Sequence, residues 1–395
     1  MKYINTLAFG ELFKNISKSM LLLIFSGVLY DKTGEIWAVG IVISSEMIIS
    51  LFVPFLAGIA INKYGASLVL ILASLITSLT SLLAFMNIDY FESIYLYICL
   101  SFVLSIGSPF IRNSVFCITP VLAKHFLTQA NSRLTVMMQV GQFIGMGVAA
   151  LIFKFELSTS IAFLFASLGY FISFIFYLIS TNNIDVNTGY SKNKKLFSYR
   201  INSNVNNILL SVLIFLSCFE VVYIVIFNLL LAPVVDFSFN NDKEWMSYLD
   251  ALFAVGATFG GIYTARVKNI SIVTVFFSQM SFFSLMVSYL FLEQIPIILF
   301  CFFWGLCLSA SGVYWDSLLQ NCVPTEELSN LSAIRGTLSS ILGLTVSYIV
   351  ADVFSISFSY AVFVSIGITI ISFLALIYVV YRSRLNGSLM ELSVG

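Results

Sequence analysis

The chain has 395 residues, 59% of them hydrophobic and only 10% charged, and its nineteen basic and nineteen acidic side chains cancel. Soluble globular domains are about one-quarter charged, so this composition excludes a soluble enzyme and a disordered chain. A chain with no net charge also offers no field for a nucleic acid or another polyanion. What remains is a helical integral membrane protein. Crossing ~30 Å of hydrocarbon takes ~20 apolar residues. Apolar runs bounded by polar punctuation predict twelve spans, near 7–30, 36–61, 67–87, 94–119, 133–153, 160–180, 206–232, 246–265, 270–292, 296–318, 331–353 and 358–381. The loops between them leave no room for a second, soluble domain.

In chain order, span 1 carries Glu11, Lys14 and Lys18 at i, i+3 and i+7, on one narrow helical face. No small-residue cleavage site follows Lys2, so this segment is expected to be retained. Glu11 and Lys14 read either as a snorkelling interfacial pair or as part of a cavity. Lys18, about three turns in, is expected to face a cavity, as is Glu46 of span 2. Span 4 presents Ser101, Ser105, Ser108 and Arg112 as one polar stripe. His125, in a polar turn with no Cys or Asp beside it, reads as a loop residue rather than a metal ligand.

Span 5 holds Gly141 and Gly145 in GxxxG spacing, which is expected to let it pack closely on the opposite half. Span 7 places Glu220 mid-membrane, followed by Tyr223 and Asn228. Buried carboxylates suit proton carriage, so Glu220 is the first choice for a coupling or substrate-binding group. The other reading makes it a structural partner of Lys18 or Arg112. Glu46 and Asp250 come second. Span 10 carries Gly305, Ser309, Gly312 and Asp316 as a stripe, with Trp304 and Trp315 eleven residues apart on one face. That face would stack on a planar substrate, or pack against lipid. The six cysteines all lie in or beside apolar segments without CxxC spacing, which supports neither a disulfide framework nor a zinc site.

Residues 181–205 are polar and contain Lys192, Lys194, Lys195 and Arg200. They read as a cytoplasmic linker between six-helix bundles at 1–180 and 206–395. With both termini inside, twelve Lys and Arg fall on the cytoplasmic side and three (Lys32, Lys154, Lys243) on the outer side, the expected positive-inside bias. Trp37 and Trp245 then sit in the outer aromatic belt. The halves repeat at an offset of about 204 residues, placing Gly58 near Gly261, Pro120 on Pro324, Glu46 on Asp250 and Arg112 on Asp316. Arg112 and Asp316 are therefore expected either to pair across the halves or to bond locally. Internal duplication of this kind is common in secondary transporters.

These motifs carry a resemblance. GIAINKYGASLVL (58–70) is similar to the loop between spans 2 and 3 of the major facilitator superfamily, with Gly58, Ala60, Lys63 and Gly65 in place and Asn62 where an Asp is usual. SPFIRNSVFCITPVLAKHFLTQANS (108–132) and LLQNCVPTEELSNLSAIRG (318–336) resemble the branch containing macrolide-efflux proteins and the enterobactin exporter. GQFIGMGVAALI (141–152) resembles the antiporter segment of span 5, with Met146 in place of the usual proline. The resemblance implies an all-α fold of two pseudo-symmetric six-helix bundles, with spans 1, 4, 7 and 10 lining the cavity. It also implies a cytoplasmic-membrane exporter, in a bacterium, of a siderophore or drug-like metabolite, coupled to protons and acting as a monomer by alternating access. Asn62, being uncharged, puts the usual loop latch in question. The alternatives are an importer of a siderophore or nutrient and a non-transporting sensor or assembly protein. No GxxxxGK[ST] loop is present, so drive by ATP is not expected, nor is any cofactor or enzymatic activity. Lys14, Lys18 and Arg112 tilt the expected cargo toward an anion.

Overall fold

The computed structural model describes residues 2–33, 36–88, 93–123, 126–182, 207–240, 244–267, 270–385 and 393–394. His125 and all but the first two residues of the expected linker lie outside them, as does the side chain of Trp37. The described residues form twelve long helices: α1 (Lys2–Thr33), α2 (Ile36–Tyr64), α3 (Ala66–Asn87), α4 (Ile94–Leu122), α5 (Leu127–Lys154), α6 (Thr159–Thr181), α7 (Asn207–Ser238), α8 (Glu244–Arg266), α9 (Val273–Phe291), α10 (Gln294–Cys322), α11 (Leu328–Phe354) and α12 (Phe358–Leu385). In hydrocarbon every backbone polar group must be satisfied within the segment, which selects helices for such apolar runs. Exposed Phe52, Ile76, Leu83, Phe277 and Ile371 form part of the apolar exterior that lipid would solvate.

Eleven of the twelve helices are long and apolar enough to cross a membrane by length and composition, and α8 is the exception. Its Gly256 and Gly260 lie directly on the carbonyls of Phe302 and Leu306 in α10, where any Cβ would overlap backbone. α8 therefore exchanges bulky apolar side chains for close helix approach. Gly65, between α2 and α3, has φ 88°, a left-handed conformation that glycine adopts without strain. A short β-strand, Ile270–Ser271, pairs antiparallel with Ser393–Val394, setting Ile270 opposite Val394.

The chain divides into two compact units. The first contains Met1–Lys124, Met137–Tyr199 and Thr325–Thr337. Within it α1 packs on α6 and α2, and α3 on α4 and α6, around a core that includes Met20, Phe25 and Phe163. The second contains His125–Val136, Arg200–Pro324 and Leu338–Gly395. Here α10 packs on α8 and α9, and α12 on α7 and α9, around Phe227, Phe282 and Trp304. Two helices change unit partway along: α5 after Val136 and α11 after Thr337.

The helix starts do not keep one offset: α2 and α8 begin 208 residues apart, which moves Glu46 off Asp250. α4 and α10 are both 29 residues long, and their starts, Ile94 and Gln294, are 200 residues apart. That frame sets Arg112 on Gly312, not on Asp316. The 204-residue offset rests on the segments 55–70 and 258–273 as well as on the prolines, and Pro120 lies inside α4 whereas Pro324 lies beyond the end of α10.

Candidate functional site

A recess opens within the first unit, among α1, α2, α3, α4 and α6. Lys14, Lys18 and Glu46 supply its charge, and Leu21, Leu22, Phe25, Leu104 and Ile111 its apolar wall. Ser45, Thr77, Ser101, Ser105, Ser108 and Tyr170 add hydroxyls. The serine stripe of span 4 thus lies where its periodicity placed it. Ser101 donates to the Ile98 carbonyl at 2.8 Å and Ser105 to the Ser101 carbonyl at 2.7 Å, so both hydroxyl oxygens keep lone pairs for another donor. Arg112, at the end of the stripe, is exposed and does not line the recess, yet it lies within Coulombic reach of Lys14 and Glu46.

Two ion pairs organise the charge. Glu11 is buried, and its carboxylate is held from three sides. Lys14 Nζ approaches Glu11 Oε2 at 2.5 Å, Tyr177 of α6 donates to Oε1 at 2.7 Å, and Asn15 Nδ2 donates to Oε2 at 3.3 Å. The second pair joins Lys18 of α1 to Glu46 of α2. The side chains of the Lys14–Glu11 pair are 10% and 7% exposed, and those of Lys18–Glu46 are 32% and 40%. Counted together, Lys14, Lys18 and Arg112 exceed Glu11 and Glu46 by one positive charge.

The expected residues of the second half are placed differently. Trp304 is fully buried, with ring centroids 4.8–5.1 Å from Phe253, Phe282 and Phe227. Trp315 is likewise fully buried, against Tyr314 at 5.4 Å. The expected stacking face is absent, because eleven-residue spacing fixes a common face but not which neighbours cover it. Tyr223 is also core: it stacks on Phe282 at 4.5 Å and its hydroxyl bonds Ser372 of α12. Glu220 is half-buried and faces α10, where a Cβ on Gly312 would stand 3.5 Å from its Oε2. Asn228 is exposed, and Asp250 and Asp316 are half-buried. Lys18 has Glu46 as its partner, so Glu220 is not needed in that role.

Gly141 and Gly145 are corrected as well. A Cβ on either would overlap a backbone carbonyl of α1, that of Leu12 or Ile16, inside the same unit. The GxxxG face serves α1–α5 packing rather than contact with the opposite half. Gly58 packs on α11, with a Cβ there reaching Ala333 at 3.3 Å, while Lys63 is exposed with its Nζ 4.9 Å from the Tyr64 ring centroid. Asn62 accepts from Ser329 at 2.5 Å and donates to Asn330 Oδ1 at 3.0 Å. An uncharged amide thus makes both bonds.

The first turns of α5 and α11 contain polar contacts that the sequence reading missed. Ser332 donates to Asn113 Oδ1 at 2.8 Å, and Thr337 to the Leu51 carbonyl at 3.2 Å. In the second unit Asn131 donates to Gln320 Oε1 at 2.7 Å and to Ser317 at 2.9 Å, and Ser132 donates to Thr264 at 2.8 Å. A signal was present: Asn131 and Ser132 recur as Asn330 and Ser332 at nearly the offset of the helix frames.

Long apolar helices with a charged, hydroxyl-lined recess among five of them define a multi-pass membrane transporter. Residues 7–346 match the Major Facilitator Superfamily, and the chain belongs to it. No curated protein matches the sequence. Among solved structures, the human organic anion transporter MFSD10 (TETRAN) is similar over 94% of this chain and 98% of its own, with TM-score 0.78 and 13% identity. A bacterial homologue of the iron transporter ferroportin, in an outward-facing state, covers 97% and 100%, with TM-score 0.75 and 12% identity. The proton:xylose symporter XylE covers 96% and 95%, with TM-score 0.73 and 14% identity. At such identities the likeness establishes the fold.

Proposed function

We propose that this protein is a proton-coupled secondary transporter whose cargo is a small amphipathic molecule bearing an acidic group, of the siderophore or drug-like kind, moved by alternating access. The observation that carries this reading is the recess of the first unit, where two lysines and a row of hydroxyls face an apolar wall. An apolar body would pack on Phe25 and Leu104 while its acid group met Lys18. Intramembrane ionisable groups facing a cavity mark substrate or proton pathways, and Glu46 takes the coupling role first assigned to Glu220.

Export is the direction supported by the resemblance of 108–132 and 318–336 to the efflux branch. A second reading, uptake of the same class of molecule, is favoured by the pairing of Glu46 with Lys18, which ties the loading of an acid to that of a proton. The positive-inside bias supports cytoplasmic termini, and the family resemblance supports a bacterial inner membrane and a working monomer. The test is transport of radiolabelled salicylate by purified protein in proteoliposomes, under an imposed proton gradient of either sign. Stimulation when protons and salicylate run in opposite directions supports export, and stimulation when they run together supports uptake. No flux of salicylate, or of a panel of larger aryl carboxylates, refutes an acidic cargo.

A further inference from the structure

The two ion pairs of the recess lie one helical turn apart on α1, but differ in how freely they can be broken. The Lys14–Glu11 pair is buried, and Tyr177 and Asn15 hold its carboxylate. Removing one partner there would leave an uncompensated buried charge. The Lys18–Glu46 pair is about one-third exposed and opens on the recess. A pair open to water is held less tightly than a buried one.

We infer that an acidic substrate takes the place of Glu46 on Lys18, and that Glu46 then takes up one proton. This rests on the proposed reading that the cargo is an acid. The step balances simply. The substrate carboxylate displaces the Glu46 carboxylate from the Lys18 ammonium, which stays protonated. Glu46 gains a proton from the water of the recess, one O–H bond forms, and no electron moves. A displaced carboxylate within a membrane span carries a desolvation cost that protonation relieves.

The other ionisable groups near Glu46 are Lys14 on α1, Arg112 on α4 and Tyr170 on α6, while α3 contributes Thr77, which does not ionise. Lys14 is already taken by Glu11, which among the described residues leaves Arg112 as the competing resting place for the displaced carboxylate. Glu11–Lys14 stays fixed, with Lys14 on the wall of the recess. Proton and acid therefore load together and travel in the same direction, the coupling of the uptake reading rather than of export.

Calorimetric titration of the purified full chain with salicylate, in two buffers of different ionisation heat, counts the protons exchanged on binding. The expected result is uptake of one proton per salicylate, together with an infrared band for a newly protonated carboxyl. In Glu46→Gln the proton uptake and the band disappear. Salicylate binds that variant about tenfold more tightly, because Lys18 no longer holds a resident carboxylate. Salicylate binding to the wild type without proton uptake overturns the inference and means that Glu46 moves to Arg112. Absence of binding by salicylate and by the larger aryl carboxylates overturns instead the acid-cargo reading beneath it. The wild-type proton count decides the matter even if Glu46→Gln does not fold.

Discussion

Lys14 and Lys18 stand one turn apart on α1, yet they answer to different helices: Lys14 is paired with Glu11 of its own helix and Lys18 with Glu46 of α2. Their different burial sets different costs. Glu11→Gln should lower stability by about 3–5 kcal/mol, the usual result of breaking a buried pair. Lys18→Gln should cost less than about 1 kcal/mol, as for an exposed pair. Thermal unfolding of the detergent-solubilised variants measures both, and equal losses would contradict the division into a fixed and an exchangeable pair.

Tyr177 donates its hydroxyl to Glu11 from across the α1–α6 contact. Tyr177→Phe removes that donor and leaves the ring in place against Gly10. A destabilisation of about 1–3 kcal/mol is expected for a buried charged acceptor deprived of a partner. An unchanged unfolding midpoint would show that Lys14 and Asn15 satisfy Glu11 without it.

The glycines of α5 provide an internal control. At Gly145 a Cβ would overlap the Ile16 carbonyl, whereas at Gly147 nothing lies within 4 Å. Gly145→Ala should therefore destabilise by about 1–3 kcal/mol through forced separation of α1 and α5. Gly147→Ala should be neutral or gain up to about 1 kcal/mol from helix propensity. The comparison is made on unfolding midpoints, and a reversed order would refute the α1–α5 packing.

Trp304 tests the reassignment of the aromatic face. Trp304→Ala should cost about 3–5 kcal/mol as a large core truncation, while salicylate affinity in the folded fraction stays the same. A loss of affinity with stability retained would return Trp304 to the cavity.

Asn131 bonds two side chains of α10 at once. A double-mutant cycle of Asn131→Ala with Gln320→Ala should show a coupling of about 0.5–3 kcal/mol. Additivity within experimental error would mean that the contact carries no stability.

Apolar runs between polar punctuation located the twelve described helices, although α8 falls short of a span on apolar content, because such a run has few other structures open to it in lipid. They read the ends less well. Span 1 was expected at 7–30 and α1 runs Lys2–Thr33, while span 5 was expected at 133–153 and α5 runs Leu127–Lys154. The added turns are polar, and hydropathy reports the hydrocarbon rather than the helix. In the site, Glu11–Lys14 was legible because i, i+3 spacing on one helix guarantees proximity. Lys18–Glu46 was not, since it depends on how α1 and α2 are rotated about their axes. Trp304 and Trp315 failed for the same reason. Asn131 and Asn330 sat in turns that looked like loop and became the start of helices.

The change of unit within α5 and α11 also bears on how the protein is put together. Residues 127–136 belong with the later half of the sequence, and residues 328–337 with the earlier half. Each half of the gene product lends a ten-residue arm to the other and borrows one in return. Neither six-helix stretch owns all the residues of its own unit, so during synthesis the first unit must wait for the eleventh helix before its last contacts, from Ser329 to Thr337, can form.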